Sequence, residues 1–260
     1  QAIDISVEAT LGLSATPERQ YDTGFEDILI PLLGPIIYEY DYVSASKDGV
    51  ISQFDLINLR LEFNPEENSD YQKLSRQIAI SLSKSSDEEE KLKLLRRRSE
   101  VVANASIRIP WAVKLAEINR GVRTIIFHER ISALERIEEI AISLGLSAVT
   151  YHSKLSGPHR RRNLQMFRKG MVDVLITCRA LDEGTNVPEA EIGIIASSTS
   201  STRQRIQRLG RVLRPSEGKE KSTIYTLYVT EREEERLVEE VKKLHEVSEI
   251  KWAKGGFEGV

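Results

Sequence analysis

Between residues 122 and 229 the sequence repeats one pattern: a short, continuously apolar run, then an amphipathic stretch, then another apolar run. The runs are VRTIIFH (122–128), SAVTYH (147–152), VDVLIT (172–177), IGIIASS (192–198) and STIYTLYV (222–229). Apolar runs this short that do not alternate with polar residues mark strands buried on both faces. Helical spacing fills the gaps over 132–144, 158–168 and 203–213, and a further helix, 111–119, precedes the first strand. Gly121, Gly145 and Gly170 lie just beyond the ends of three of these helices, where a left-handed residue closes a helix. Strands interleaved with helices predict an α/β chain with a doubly wound parallel sheet. Such sheets bind ligands beyond the carboxyl ends of their strands, so the informative loops follow residues 128, 152, 177 and 198.

The rest of the chain is less regular. ISQFDLINLRLEF reads as a strand ending at Asn64-Pro65. Glu66 to Ser83 has Tyr71, Leu74, Ile78 and Leu82 at helical spacing. DEEEKLKLLRRR (87–98) runs from acid to base, as the helix dipole favours, and reads as a solvated helix face. The tail EREEERLVEEVKKLHEV reads as an amphipathic helix with Leu237, Val241 and Leu244 on its apolar face. The opening AIDISVEATLGLSATPER runs apolar into a Ser-Ala-Thr-Pro turn, so the chain is expected to begin at the last strand of a preceding domain.

Composition excludes several classes. With one cysteine, Cys178, there is no disulfide framework and no cysteine-based metal site within the chain. The four histidines, at 128, 152, 159 and 245, lack metal-ligand spacing, and His128 and His152 read as structural hydrogen-bonding groups at strand ends. No apolar run is long enough to span a membrane, and an intracellular, reducing compartment fits. The net charge of −3 conceals an asymmetry: residues 151–215 hold twelve Lys and Arg against five Asp and Glu, a net of +7. That excess fits an anionic partner as well as a surface neutralised by acidic neighbours.

Three features stand at the informative loops, the first a loop of small and acidic residues and the other two basic. CRALDEGTNVPEA follows Thr177, and a hydroxyl with loop N–H groups at that position can hold a phosphate. Arg160, Arg161 and Arg162 occupy the first turns of a helix, where cations oppose the dipole. QRIQRLGRVLRP (204–215) places arginines at 205, 208, 211 and 214. On a helix each step of three falls about 60° short of a full turn, so the array fans around the axis and can serve two sites.

In order and spacing, LGLSATP, TIIFHER, ITCRALDEGTNVPEA and QRIQRLGRVLRP resemble motifs III, IV, V and VI of the superfamily 2 helicases. QRLGRVLR is most similar to the XPB-type DNA helicases, which have glutamine where DEAD-box proteins have histidine. The resemblance implies the following division. Residues 1–23 would end a first RecA-like domain, and 24–105 would lead into the second with a helical insertion. Residues 106–230 would form the second RecA-like domain, and 231–260 a C-terminal helix and tail.

It also implies residue roles. Ser14 and Thr16 would link the nucleotide site to strand separation. Phe127 and its strand would support the nucleic-acid face, and Thr177 would contact a backbone phosphate together with Arg160 and Arg161. Gly184 would shape the nucleotide-facing loop. Gln207 would sit near the γ-phosphate of ATP, Arg211 and Arg214 would act as arginine fingers, and Arg208 would brace the motif or touch nucleic acid. Asn186 departs from the aspartate frequent in the family, keeping an acceptor without its charge. There is no GxxxxGK[ST], so ATP and Mg2+ would be bound mainly by the first RecA-like domain, and this chain alone would be inactive. The implied partners are DNA, single-stranded or duplex, and that first domain. The implied activity is that of an ATP-dependent DNA helicase. Two alternatives stay open: a non-catalytic nucleic-acid-binding module, and a Snf2- or restriction-type duplex translocase that does not unwind.

Overall fold

The computed structural model describes residues 10–13, 23–50, 53–83, 88–178, 190–197, 221–242, 244 and 248–255. Among the described residues seven parallel strands form one sheet in the order β3-β4-β2-β5-β6-β1-β7. They are β1 (Gln53–Arg60), β2 (Thr124–Phe127), β3 (Ala148–Tyr151), β4 (Val174–Thr177), β5 (Ile192–Ile195), β6 (Lys221–Tyr228) and β7 (Ser248–Lys254). The five apolar runs are β2 to β6. The sheet is wider than those five: β1, from the irregular first third of the chain, inserts between β6 and β7. β7 has no counterpart in the sequence reading. It is an edge strand whose residues are mostly exposed or half-exposed, so it lacks the apolar run that a buried strand carries.

Alternation along each strand sends neighbours to opposite faces. Ile126, Ile176, Ile194 and Leu227 point to one face, where they pack with Ala112 and Leu115 of α5 (Arg108–Ile118) and with Leu134 and Ile137 of α6 (Ile131–Ser143). Ile125, Phe127, Leu175 and Ile195 point to the other, against Leu164 and Phe167 of α7 (Gly157–Arg168). On that second face Phe54, Leu56 and Ile224 join Leu244, which follows α8 (Glu231–Val241). Leu237 and Leu244 are buried and Val241 is partly so, as the tail's apolar stripe predicts.

Local chemistry fixes the helix ends. Gly145 and Gly170, at φ of 74° and 67°, turn the chain out of α6 and α7 into the next strand, a conformation that costs a residue with a Cβ. Ser156 caps α7 by accepting from the His159 N–H. Thr230 and Glu233 form a reciprocal capping box on α8.

The segment before the first βα repeat contributes a π-helical turn, Phe25–Leu29, and two short helices, α1 (Ile30–Leu33) and α2 (Tyr42–Lys47). After β1 come two long helices that pack on each other, α3 (Pro65–Ser83) and α4 (Glu88–Ala103). Asn64 caps α3 through its Oδ1, which accepts from the Glu67 N–H at 2.8 Å. The Glu67 carboxylate also accepts from the Ser106 N–H at 2.8 Å, tying the start of the helix pair to the turn before α5. Among the described residues no helix is long and apolar enough to cross a membrane.

Candidate nucleotide and nucleic-acid interface at the carboxyl edge

β2 lies between β4 and β5, and the three strands end level: Phe127 pairs with Thr177 on one side and with Ile195 on the other. Pairing continues one step further. The His128 N–H donates to the Thr177 carbonyl at 3.0 Å, and the Ala196 N–H to the Phe127 carbonyl at 2.9 Å. From β2 the chain turns through α6 towards β3, whereas from β5 it proceeds to β6 on the opposite side. The strand order thus reverses between β2 and β5, which makes their carboxyl ends the switch point where open α/β sheets bind ligands. Segments 179–189 and 198–220 begin at this edge, after Cys178 and Ser197. Ser14, Thr16, Gly184, Asn186, Gln207, Arg208, Arg211 and Arg214 all lie outside the described residues.

Four predicted residues are described. Phe127 is buried in the core beneath the edge, as a supporting residue needs to be. Thr177 has no exposed surface, and its hydroxyl faces the carbonyls of Tyr151 at 3.0 Å and Cys178 at 3.1 Å. A hydroxyl has one proton to donate, so the expected phosphate contact requires it to turn from these two acceptors. What it does is tie the end of β4 to β3. Arg160 is half-buried and Arg161 and Arg162 are exposed in the first turns of α7, which begins just beyond the carboxyl end of β3. That turn contains no acidic residue, and none of the three arginines forms an ion pair with a described residue. Among the described residues the charge of the cluster is therefore not matched by an acidic side chain.

The strand-end histidines are both buried. His128 Nδ1 accepts from the Arg130 N–H at 3.2 Å, which confirms a structural hydrogen-bonding role. Among the described residues His152 Nδ1 has no hydrogen-bond partner. Burial pushes the His152 imidazole below its ordinary pKa, Glu135 opposing the shift and Lys154 adding to it. Among the described residues no three His, Cys, Asp or Glu side chains gather as a metal-ligand set.

One constellation at this edge was not legible in the sequence. Arg108, at the start of α5, is completely buried. Its Nη2 donates to Glu233 Oε1 of α8 at 2.7 Å, its Nη1 to the carbonyls of Ala196 at 2.9 Å and Leu227 at 2.6 Å, and its Nε to the Val102 carbonyl at 3.2 Å. Ser197, also fully buried, donates from Oγ to the Ala103 carbonyl at 2.9 Å. Glu233 completes the cluster by accepting from the N–H groups of Val229 and Thr230. The only sequence signal was Glu233 three residues after a Thr cap; its partner lies 125 residues away.

Residues 108–216 match the helicase conserved C-terminal domain. The chain is 27% identical over 224 residues to the DNA 3'-5' translocase XPB2 of Sulfurisphaera tokodaii, covering 78% of this chain and 49% of that protein. It is 29% identical over 222 residues to a putative DNA 3'-5' helicase Rad25 of Haloarcula marismortui, covering 83% of this chain and 31% of that protein. It is 25% identical over 228 residues to the DNA 3'-5' helicase XPB of Kineococcus radiotolerans, covering 86% and 36%. The chain thus spans between about a third and a half of the length of these relatives. In fold it is similar to Dbp5 of S. cerevisiae bound to RNA and ADP BeF3, with a TM-score of 0.56, 13% identity and coverage of 90% of this chain and 49% of that one. It is also similar to the isolated C-terminal domain of the DEAD-box protein Dbp5, with a TM-score of 0.51, 18% identity and coverage of 59% and 86%. Residues 108–216 thus match the helicase conserved C-terminal domain on a sheet of RecA-like fold, and the chain is similar over most of its length to XPB-type DNA helicases.

Proposed function

We propose that the chain is the C-terminal motor half of an ATP-dependent DNA helicase or translocase. The observation that carries this reading is the placing of Cys178 and Ser197 on either side of β2 at the switch point. The stretch that resembles motif V runs out of β4 there, and segment 198–220, which contains the stretch that resembles motif VI, follows Ser197. In this reading Arg211 and Arg214 are donors to the γ-phosphate, Gln207 sits beside them, and Gly184 and Asn186 shape the loop facing the nucleotide. A planar donor fork held against transferring phosphoryl oxygens contributes about 10³–10⁵ in rate. ATP and Mg2+ are held mainly by the first RecA-like domain of the intact protein, in which residues 1–23, with Ser14 and Thr16, form the closing part. The bound nucleotide supplies the free energy for the domains to move against each other.

Nucleic acid would cross the same edge. Arg160 and Arg161 supply backbone-phosphate contacts, joined by Arg208 and by loop N–H groups after Cys178. Thr177 acts here as the anchor of that loop. Such contacts fix register without reading sequence. Translocation without unwinding is the companion reading, because one relative is named a translocase and others helicases.

The test is ATP hydrolysis by the intact parent protein with no nucleic acid, single-stranded DNA, duplex DNA or RNA, at two salt concentrations. Stimulation by DNA that weakens with salt supports a DNA motor. The strand form that stimulates most separates helicase from duplex translocase. No hydrolysis under any condition leaves the non-catalytic binding module in its place.

A further inference from the structure

We infer that Arg108 and Ser197 are positioning residues for the motor segment that leaves β5, an inference that rests on the functional reading above. Arg108 clamps the Ala196 carbonyl, and Ser197 is itself bonded to the Ala103 carbonyl. The last two described residues before segment 198–220 are thus both held by buried hydrogen bonds. The same guanidinium reaches the Leu227 carbonyl of β6, the strand to which that segment returns, and Glu233 at the head of α8. Val102 and Ala103, at the end of α4, supply the remaining acceptors; the last carbonyls of a helix have no i+4 partner, and that of Val102 also accepts from the Ala105 N–H at 3.4 Å.

A buried ion pair is a poor device for stability alone, since well-packed apolar groups serve as well or better. A buried guanidinium has a different virtue. Its rigid planar fork fixes the relative positions of all the acceptors it spans. Here it spans α4, the exit of β5, the end of β6 and α8. An arginine finger misplaced by about 1 Å loses on the order of a hundredfold in rate, so the geometry of the β5 exit bears directly on turnover.

The experiment uses the intact parent protein and two variants, Ser197→Ala and Arg108→Lys. Read-outs are DNA-stimulated kcat, the KM for ATP, DNA affinity, the DNA-binding-competent fraction and Tm. Ser197→Ala keeps the Arg108–Glu233 pair and removes one hydroxyl. It is expected to lower kcat about fivefold at unchanged KM and DNA affinity, with a Tm shift of no more than about 4 °C. Arg108→Lys keeps the charge but not the fork, and is expected to lower kcat on the order of a hundredfold. An active parent with both variants at parental kcat overturns the inference alone. So does a fall in kcat that only matches a fall in the competent fraction. A parent that hydrolyses no ATP overturns the functional reading and this inference with it.

Discussion

The guanidinium of Arg108 and the carboxylate of Glu233 meet at 2.7 Å in the interior, with neither side chain more than 7% exposed. The pair joins α5 to α8, across the ends of β5 and β6, at the edge from which segment 198–220 departs. Removing one partner leaves the other charged and buried. Arg108→Ala is therefore expected to destabilise the domain by about 3–5 kcal/mol. Denaturant unfolding of the variant and parent measures this, and a loss below about 1 kcal/mol contradicts the clamp.

Thr177 discriminates an anchoring hydroxyl from a phosphate ligand. If its hydroxyl only ties β4 to β3, Thr177→Val costs about 1–2 kcal/mol in stability and leaves DNA affinity unchanged. Titration of the variant with fluorescent DNA checks the second half. A large loss of affinity at parental stability would restore the phosphate contact expected from the sequence.

Arg160 and Arg161 of α7, which pair with no described acidic residue, carry the opposite expectation. Arg160→Gln with Arg161→Gln removes charge without touching the core, so Tm stays near the parental value. DNA affinity falls, and the slope of log K against log salt shrinks by roughly two. An unchanged slope would mean that the cluster faces solvent alone.

His152 gives the fold a pH dependence whose sign follows from its surroundings. Burial holds the folded-state imidazole below the ordinary value of 6.5, so the unfolded chain takes up the proton first as pH falls. The contribution of His152 to stability is fully present above about pH 6.5. It is lost progressively below that, down to the folded-state pKa. Unfolding free energies at pH 8 and 5.5 should differ less for His152→Gln than for the parent. An identical difference would show that other groups set the acid response.

Legibility in the sequence followed burial. β2, β4 and β5 are enclosed on both faces, and their apolar runs announced them. Glycines at 145 and 170 announced the helix ends because only a left-handed residue fits there. β1 was legible as a strand, but its place between β6 and β7 depends on pairing with residues more than 150 positions away. β7 was not legible, since an edge strand needs no apolar run. At the candidate site, the segments that resemble helicase motifs led to the carboxyl edge where Cys178 and Ser197 stand. The Arg108–Glu233–Ser197 cluster was hidden because each member, read locally, is an ordinary helix-end or loop residue. Thr177 was placed correctly at a strand end, yet alternation alone does not say whether a hydroxyl there faces a ligand or a neighbouring carbonyl.

The central claim is that this chain supplies the γ-phosphate donors of a DNA motor. Its most direct test is ATP turnover by the intact parent protein and its Arg211→Ala variant, each with saturating DNA, alongside DNA affinity. The account predicts DNA-stimulated hydrolysis in the parent, a fall of about 10³-fold or more in the variant, and DNA binding within about twofold of the parent. Equal turnover in the two proteins would contradict it.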